Sequence, residues 1–228
     1  MLIKRHEPLL LGIAMGRRPK PEAEIETIKN KILDTTLKLI TKDGYVGFSI
    51  RKLGPKLGIA PKTVYNYFKS KEEIYLHVLT KGFELLYDEL YQSIRLKKDP
   101  FKKLETLAKT YIRFGFEKPN YYDIMFTWYV PKFKDFVGTS LEPIAYNELQ
   151  AALKSLSLFI QIMEEIPTVN ARIKKDETRI YVIQLFVGLH GIVAFKNNTI
   201  LDYVHENSNS IIDPLLNGIL APFRPTRH

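Results

Sequence analysis

Cysteine is absent from this 228-residue chain, which excludes a disulfide framework, a thiolate zinc site and a thiol nucleophile. Long hydrophobic runs are missing too. The longest, residues 180–195, is broken by Gln184 and His190, and a membrane-spanning helix needs about 20 apolar residues. At the start, Lys4 and Arg5 precede Leu9, Leu10, Leu11 and Ile13 in the outline of a secretory leader. Pro8 and Gly12 bracket that patch, however, and Gly16-Arg17-Arg18-Pro19-Lys20 follows where small cleavage-site residues belong, so no leader is read. Met15 is the more natural initiator, which would make residues 1–14 an upstream extension. A cytoplasmic protein with no membrane partner is expected.

Catalytic signatures are equally scarce. No nucleotide-binding glycine loop and no serine elbow occur, and His6, His77, His190, His205 and His228 are scattered rather than paired at metal-ligand spacing. Adjacent acids such as Glu164-Glu165 and Asp176-Glu177 read as helix ends on a solvated face. No cofactor, metal site or catalytic residue is expected, and the chain does not read as an enzyme. Acidic residues are in deficit, 25 against 34 Lys and Arg, for a net charge of +9. Such a surplus suits nucleic acid, an anionic membrane or an acidic substrate.

The position of the charge decides among these. Residues 15–81 hold 14 basic and 7 acidic residues, whereas residues 82–228 hold 18 and 17. Residues 44–71 contain Arg51, Lys52, Lys56, Lys62, Lys69 and Lys71 and no acid. A membrane-binding helix would spread such charges along one amphipathic face. Here Gly54-Pro55, Gly58 and Pro61 cut the stretch into short pieces.

The pieces have a recognisable order. Residues 22–42 carry apolar side chains at helical spacing and stop near Gly44. Ser49 can cap a short helix over 50–57, in which Pro55 is an objection that one or two irregular turns would tolerate. Gly58 makes the turn, and Pro61 suits the first position of a helix over 62–68. Ser70-Lys71-Glu72-Glu73 is a capping box opening a fourth helix. Helix, glycine turn and short second helix make helix-turn-helix spacing. The second helix would turn Val64 and Phe68 inward, with Lys62, Thr63 and Asn66 outward and Tyr65 and Tyr67 flanking, a set suited to base edges and phosphates.

These residues resemble the tetracycline-repressor (TetR) family of transcription regulators. The likeness runs from about residue 32 to 79 and rests on Gly44, Ser49, the block from 58 to 68 with Tyr65 and Phe68, and the pair Ser70-Lys71. Leu53-Gly54, Ala60, Lys62 and Tyr67 depart from the family's usual residues, so an operator sequence does not transfer. The resemblance implies phosphate contacts from Tyr65, Tyr67 and Lys71, base-facing positions for Lys62, Thr63 and Asn66, a place for Ser49 among the DNA-binding residues, and an arm with Arg17 and Arg18 able to reach a minor groove.

Beyond residue 81 helices are expected to about 97, then over 100–116, 120–129, 141–163, 176–197 and 207–220, with Pro100, Pro119, Pro131 and Pro167 between them. The fold class is all-α with about nine helices. An extension and arm (1–21) would precede a DNA-binding domain (22–70), a ligand-binding and dimerisation domain (71–221) and a tail (222–228). The helix over 176–197 is apolar nearly all round, which implies burial from two directions. Its Gly188-Leu189-His190-Gly191 segment, with Tyr111 and residues 119–126, resembles the family's C-terminal class marked by a His-Gly pair, although Phe186 stands where that class has tryptophan. Ile183, Val187, Gly188, His190, Gly191 and Ala194 are candidates for a homodimer interface. Residues 111–146 include eleven aromatic residues, where the 12% average would give about four. Most read as core. Tyr111, Phe114, Tyr122, Phe126, Trp128 and Phe159 are candidates for lining a small-molecule pocket, with Glu148 and Gln150 as polar anchors.

The leading expectation is a dimeric repressor of a near-palindromic double-stranded DNA operator, released by a small apolar or aromatic effector. An architectural DNA-binding protein without effector, and an enzyme built as a helical bundle, remain open alternatives.

Overall fold

A computed structural model of the chain describes residues 20–226. Among them every regular element is helical: α1 (Glu22–Gly47), α2 (Ile50–Leu57), α3 (Pro61–Val64), α4 (Lys71–Ile94), α5 (Pro100–Glu117), α6 (Pro119–Tyr122), α7 (Glu142–Glu165), α8 (Thr178–Asn197), α9 (Ile200–Val204) and α10 (Ile212–Leu220). The helix signals act where they stand in the sequence. Gly44 leaves helical geometry at φ 72° and breaks α1 near its end. The Ser49 hydroxyl accepts from the Lys52 N–H, the Asp99 carboxylate from the Lys102 N–H, and the Ser70 hydroxyl from the Glu73 N–H at 3.1 Å. Glu73 reaches past the N-cap and accepts from the Lys69 N–H rather than from that of Ser70, so the expected box forms only on its serine side. Gly58, at φ 67°, supplies the left-handed turn between α2 and α3. Gly54 allows that turn to close, because a Cβ there would stand 2.9 Å from the Ile59 carbonyl oxygen.

Three spans differ from the periodicity. The helix expected over 62–68 is α for Pro61–Val64 only, then continues through i→i+3 bonds from the Asn66 and Tyr67 N–H groups to the Thr63 and Val64 carbonyls. The helix expected over 120–129 becomes α6 plus a π-helical turn, Asp123–Thr127, where the Trp128 N–H reaches the Asp123 carbonyl and the Thr127 hydroxyl bonds the same residue. The helix expected from 207 begins at Ile212, because Asn207 and Ser210 bond each other's backbone groups and hold a turn instead.

α4 is the spine. It packs along α7 and α5 and against α1. One buried cluster runs from Ile32 and Leu53 through Ile74, Leu107 and Phe159 to Phe223. α8 lies on α5, α7 and α10. It buries Val182, Leu185, Leu189 and Val193 but leaves Ile180, Ile183 and Val187 more than half exposed, so within one chain it is covered from one direction, not two. With its leading turn (Lys175–Asn197, mean hydropathy 1.5) it has the length and composition of a spanning helix, and a third of that stretch is buried in the fold.

Candidate nucleic-acid interface

α2, the Gly58 turn and α3 form the helix-turn-helix unit, locked from inside by Ile50, Leu53, Val64 and Phe68. Lys62 and Asn66 are exposed, Tyr65 keeps 55% of its surface in solvent, and Thr63 and Tyr67 are half-buried. They do not form one outward row. Thr63, Asn66 and Tyr67 line a groove of about 610 Å³ with Ile28, Lys31 and Leu57, leaving Lys62 and Tyr65 outside it. Spacing explains the division, since residues 63, 66 and 67 stand three and four apart and share one side of a helical turn, whereas 62 and 65 face elsewhere. Ser49 acts as a helix cap, its hydroxyl 3.3 Å from the Lys52 nitrogen. Arg17 and Arg18 lie outside the described residues.

Lys71 opens α4, where orphan backbone N–H groups already favour an anion. Its ammonium sits 4.8 Å from the centre of the Tyr45 ring, a cation–π contact. Tyr45 meets Tyr75 edge-on at 4.7 Å, and the Tyr75 hydroxyl donates to the Pro131 carbonyl at 2.9 Å. The chain from Lys71 into the body thus passes through Tyr45, a residue with no sequence signal beyond its place between Gly44 and Gly47. Burial pushes the Tyr45 hydroxyl up to about 12.

The aromatic candidates for a pocket divide as well. Tyr111, Tyr122, Phe126 and Phe159 converge with Phe186 and His190, their ring centres 4.7–6.5 Å apart, mostly edge to face. Phe114 is fully buried on α5 but stacks beneath the Lys118 ammonium. Trp128 stands apart and lines a separate cavity with Tyr45 and Lys132. His190 belongs with the aromatic core: its Nδ1 lies 2.6 Å from the Tyr122 hydroxyl and 3.2 Å from that of Tyr111. Burial lowers the imidazole pKa and raises both phenols well above their ordinary value. Of the interface candidates, then, Ile183 and Val187 are exposed, Gly191 and Ala194 half-exposed, and His190 and Gly188 are engaged within the chain, Gly188 against Ile219 of α10. Glu148 is buried on α7, where burial pushes its carboxyl up to about 7 against the opposing pull of Lys132. Gln150 is exposed and lines a shallow surface pocket with Tyr87. No group of three or more His, Asp or Glu side chains able to hold a metal occurs among the described residues.

A buried three-helix unit that leaves one short basic helix to solvent, set on a larger helical body, defines a helix-turn-helix protein. Residues 32–78 match the profile of bacterial regulatory proteins of the tetR family, and residues 104–216 match that of the tetracyclin repressor-like C-terminal domain. The chain belongs to the tetR family. It is 27% identical over 92 residues to the uncharacterized HTH-type transcriptional regulator YobS of Bacillus subtilis, covering 40% of this chain and 48% of that one. It is also 27% identical over 74 residues to the fatty acid metabolism regulator protein of the same organism, covering 32% and 38%. The matches therefore span about half or less of these curated relatives. Among solved structures, the transcriptional regulator FadR from Bacillus subtilis, in complex with stearoyl-CoA, superposes with a TM-score of 0.64 at 17% identity, over 85% of this chain and 98% of that one.

Proposed function

We propose that this protein is a DNA-binding transcriptional regulator, a homodimeric repressor that leaves a near-palindromic operator when a small apolar or aromatic effector binds. The observation that carries the reading is the solvent-facing recognition segment: Lys62, Tyr65 and Asn66 are exposed on a rigid, buried scaffold, within a 28-residue stretch that contains no acid. Residues 22–70 would read DNA, with Arg17 and Arg18 preceding them, and residues 71–221 would dimerise and receive the effector. Tyr65, Tyr67 and Lys71 suit phosphates. Lys62 suits a base edge, and Thr63 and Asn66 contribute from the groove side.

The effector part of the reading is supported by the aromatic core around Tyr111, Tyr122, Phe126 and Phe159, with the His190–tyrosine hydrogen bonds as its one polar anchor. FadR, a fold relative described with stearoyl-CoA, favours an apolar guest. The test is selection of bound genomic fragments followed by titration of the enriched duplex. Affinity should fall steeply with salt, as phosphate contacts release counterions. The double variant Lys62→Ala, Tyr65→Ala should lose at least about tenfold in specific affinity. Undiminished specific binding by that variant would refute the placement of the DNA surface.

A further inference from the structure

Trp128, the single tryptophan of the chain, lines a cavity of about 470 Å³ where the end of α1 meets the segment after the π-helical turn. Tyr45 and Val46 line it together with Trp128 and Tyr129. Lys132 and Lys134 belong to the same lining. The volume falls within the range of small-molecule sites. Two large apolar side chains at the joint are left in water, Val46 at 91% and Tyr129 at full exposure, a cost that a bound ring would relieve.

The lining carries two ammonium groups against one carboxylate. Neither Lys132 nor Lys134 makes an ion pair with a carboxylate among the described residues. Among the described residues the Lys132 ammonium donates to the Met125 carbonyl alone, at 3.4 Å. The acid in the lining, Asp135, turns its carboxylate to the Lys132 backbone N–H at 2.8 Å. Glu148 attracts Lys132 through space without contact.

We infer that this cavity is a small-molecule site for a flat aromatic carboxylate, its ring between Tyr45 and Trp128 and its carboxylate on Lys132 and Lys134. Its regulatory consequence rests on the reading of the chain as a DNA-binding regulator. Tyr45 is both a wall of the cavity and the ring beneath the Lys71 ammonium, so a guest that moves the ring moves Lys71 at the opening of α4. A ligand that distinguishes two settings of this joint shifts operator affinity by its differential affinity for them.

The probe is 2-naphthoate, added to the full-length protein and followed by the single indole N–H resonance and by operator affinity in parallel. Saturable displacement of the resonance is expected, together with a change of at least threefold in operator affinity. The neutral 2-naphthalenemethanol should bind at least tenfold more weakly. Lys132→Ala with Lys134→Ala, and separately Val46→Asp, should each weaken naphthoate at least tenfold while the ligand-free proteins keep operator affinity. No displacement at millimolar naphthoate overturns the site. Displacement indifferent to all three substitutions places the guest in the aromatic core and overturns it equally. Displacement with unaltered operator affinity overturns the coupling. Failure of the ligand-free protein to bind DNA would instead remove the regulator reading, and the indole titration would still judge the site.

Discussion

Glu148 shows how one buried side chain sets a pH dependence. Its carboxyl is 8% exposed on α7, and burial raises its pKa from 4.5 to about 7. The folded state therefore holds a proton that the unfolded chain has released, and the fold loses stability as pH rises from about 4.5 through 7. A shift of that size corresponds to a penalty on the order of 3 kcal/mol above neutrality. Glu148→Gln should raise unfolding stability by up to about that amount at pH 8 and change it little at pH 4.5, as measured by urea titration. Equal gains at both pH values would show that packing, not ionisation, is responsible. His190 works in the opposite sense. Its pKa is lowered by burial, so the unfolded chain takes up the proton first and stability falls as pH drops below about 6.5, the ordinary histidine value. His77 is lowered as well, and only a comparison with His190→Gln isolates the residue. The difference in stability between wild type and variant should shrink from pH 7.5 to 5.5, and a constant difference would mean that His190 binds its proton equally well in the folded and unfolded chain.

At the scale of elements, the serine cap at the start of α4 is the clearest link between sequence and stability. Ser70 accepts from the Glu73 N–H and leaves the Lys71 ammonium over Tyr45. Ser70→Ala should cost about 1 kcal/mol, seen as a fall of about 2–4 °C in the thermal midpoint for a chain of this size. An unchanged midpoint would mean that water replaces the cap at no loss. Such caps were legible because they act within four residues. So were Gly44, Gly58 and the prolines, whose backbone restrictions need no tertiary partner. What sequence periodicity missed ahead of α10 has its cause in competition, because Asn207 and Ser210 bond each other's backbone groups and hold a turn. The π turn at Asp123–Thr127 carries no such mark, since the Thr127 bond to the Asp123 carbonyl recurs within the regular helices at Thr80 and Thr106. The two sides of the recognition segment were half legible. Residues 63, 66 and 67 share one face at 3.6 residues per turn, but spacing alone does not say that this face turns toward α1. Trp128 was grouped with the aromatic core by proximity in sequence alone, whereas the π turn carries it outward to Tyr45.

For the whole molecule, the charge and the exposed apolar surface lie on different parts of the chain, and each implies a different partner. The net charge of residues 15–81 is +7 and that of residues 82–228 is +1, so attraction to a polyanion belongs to the helix-turn-helix end. The exposed apolar side chains of Ile183 and Val187 lie on α8, with Leu215 exposed on neighbouring α10. A solvent-facing stripe of this kind on a long apolar helix asks for a second apolar surface, and a two-fold pairing of α8 and α10 would supply it. Pairing would also place two recognition segments on one duplex, about one helical turn apart. Ile183→Asp combined with Val187→Asp tests this without emptying the core, because both side chains stand outside it. The protein should sediment as a dimer and the double variant as a folded monomer with unchanged helical content. Operator affinity should fall by well over tenfold, since a single head forfeits the effective concentration gained by the second. A variant that stays dimeric would move the interface elsewhere on the body. A monomeric variant that keeps full operator affinity would mean that one head suffices, and the operator would then carry no palindrome.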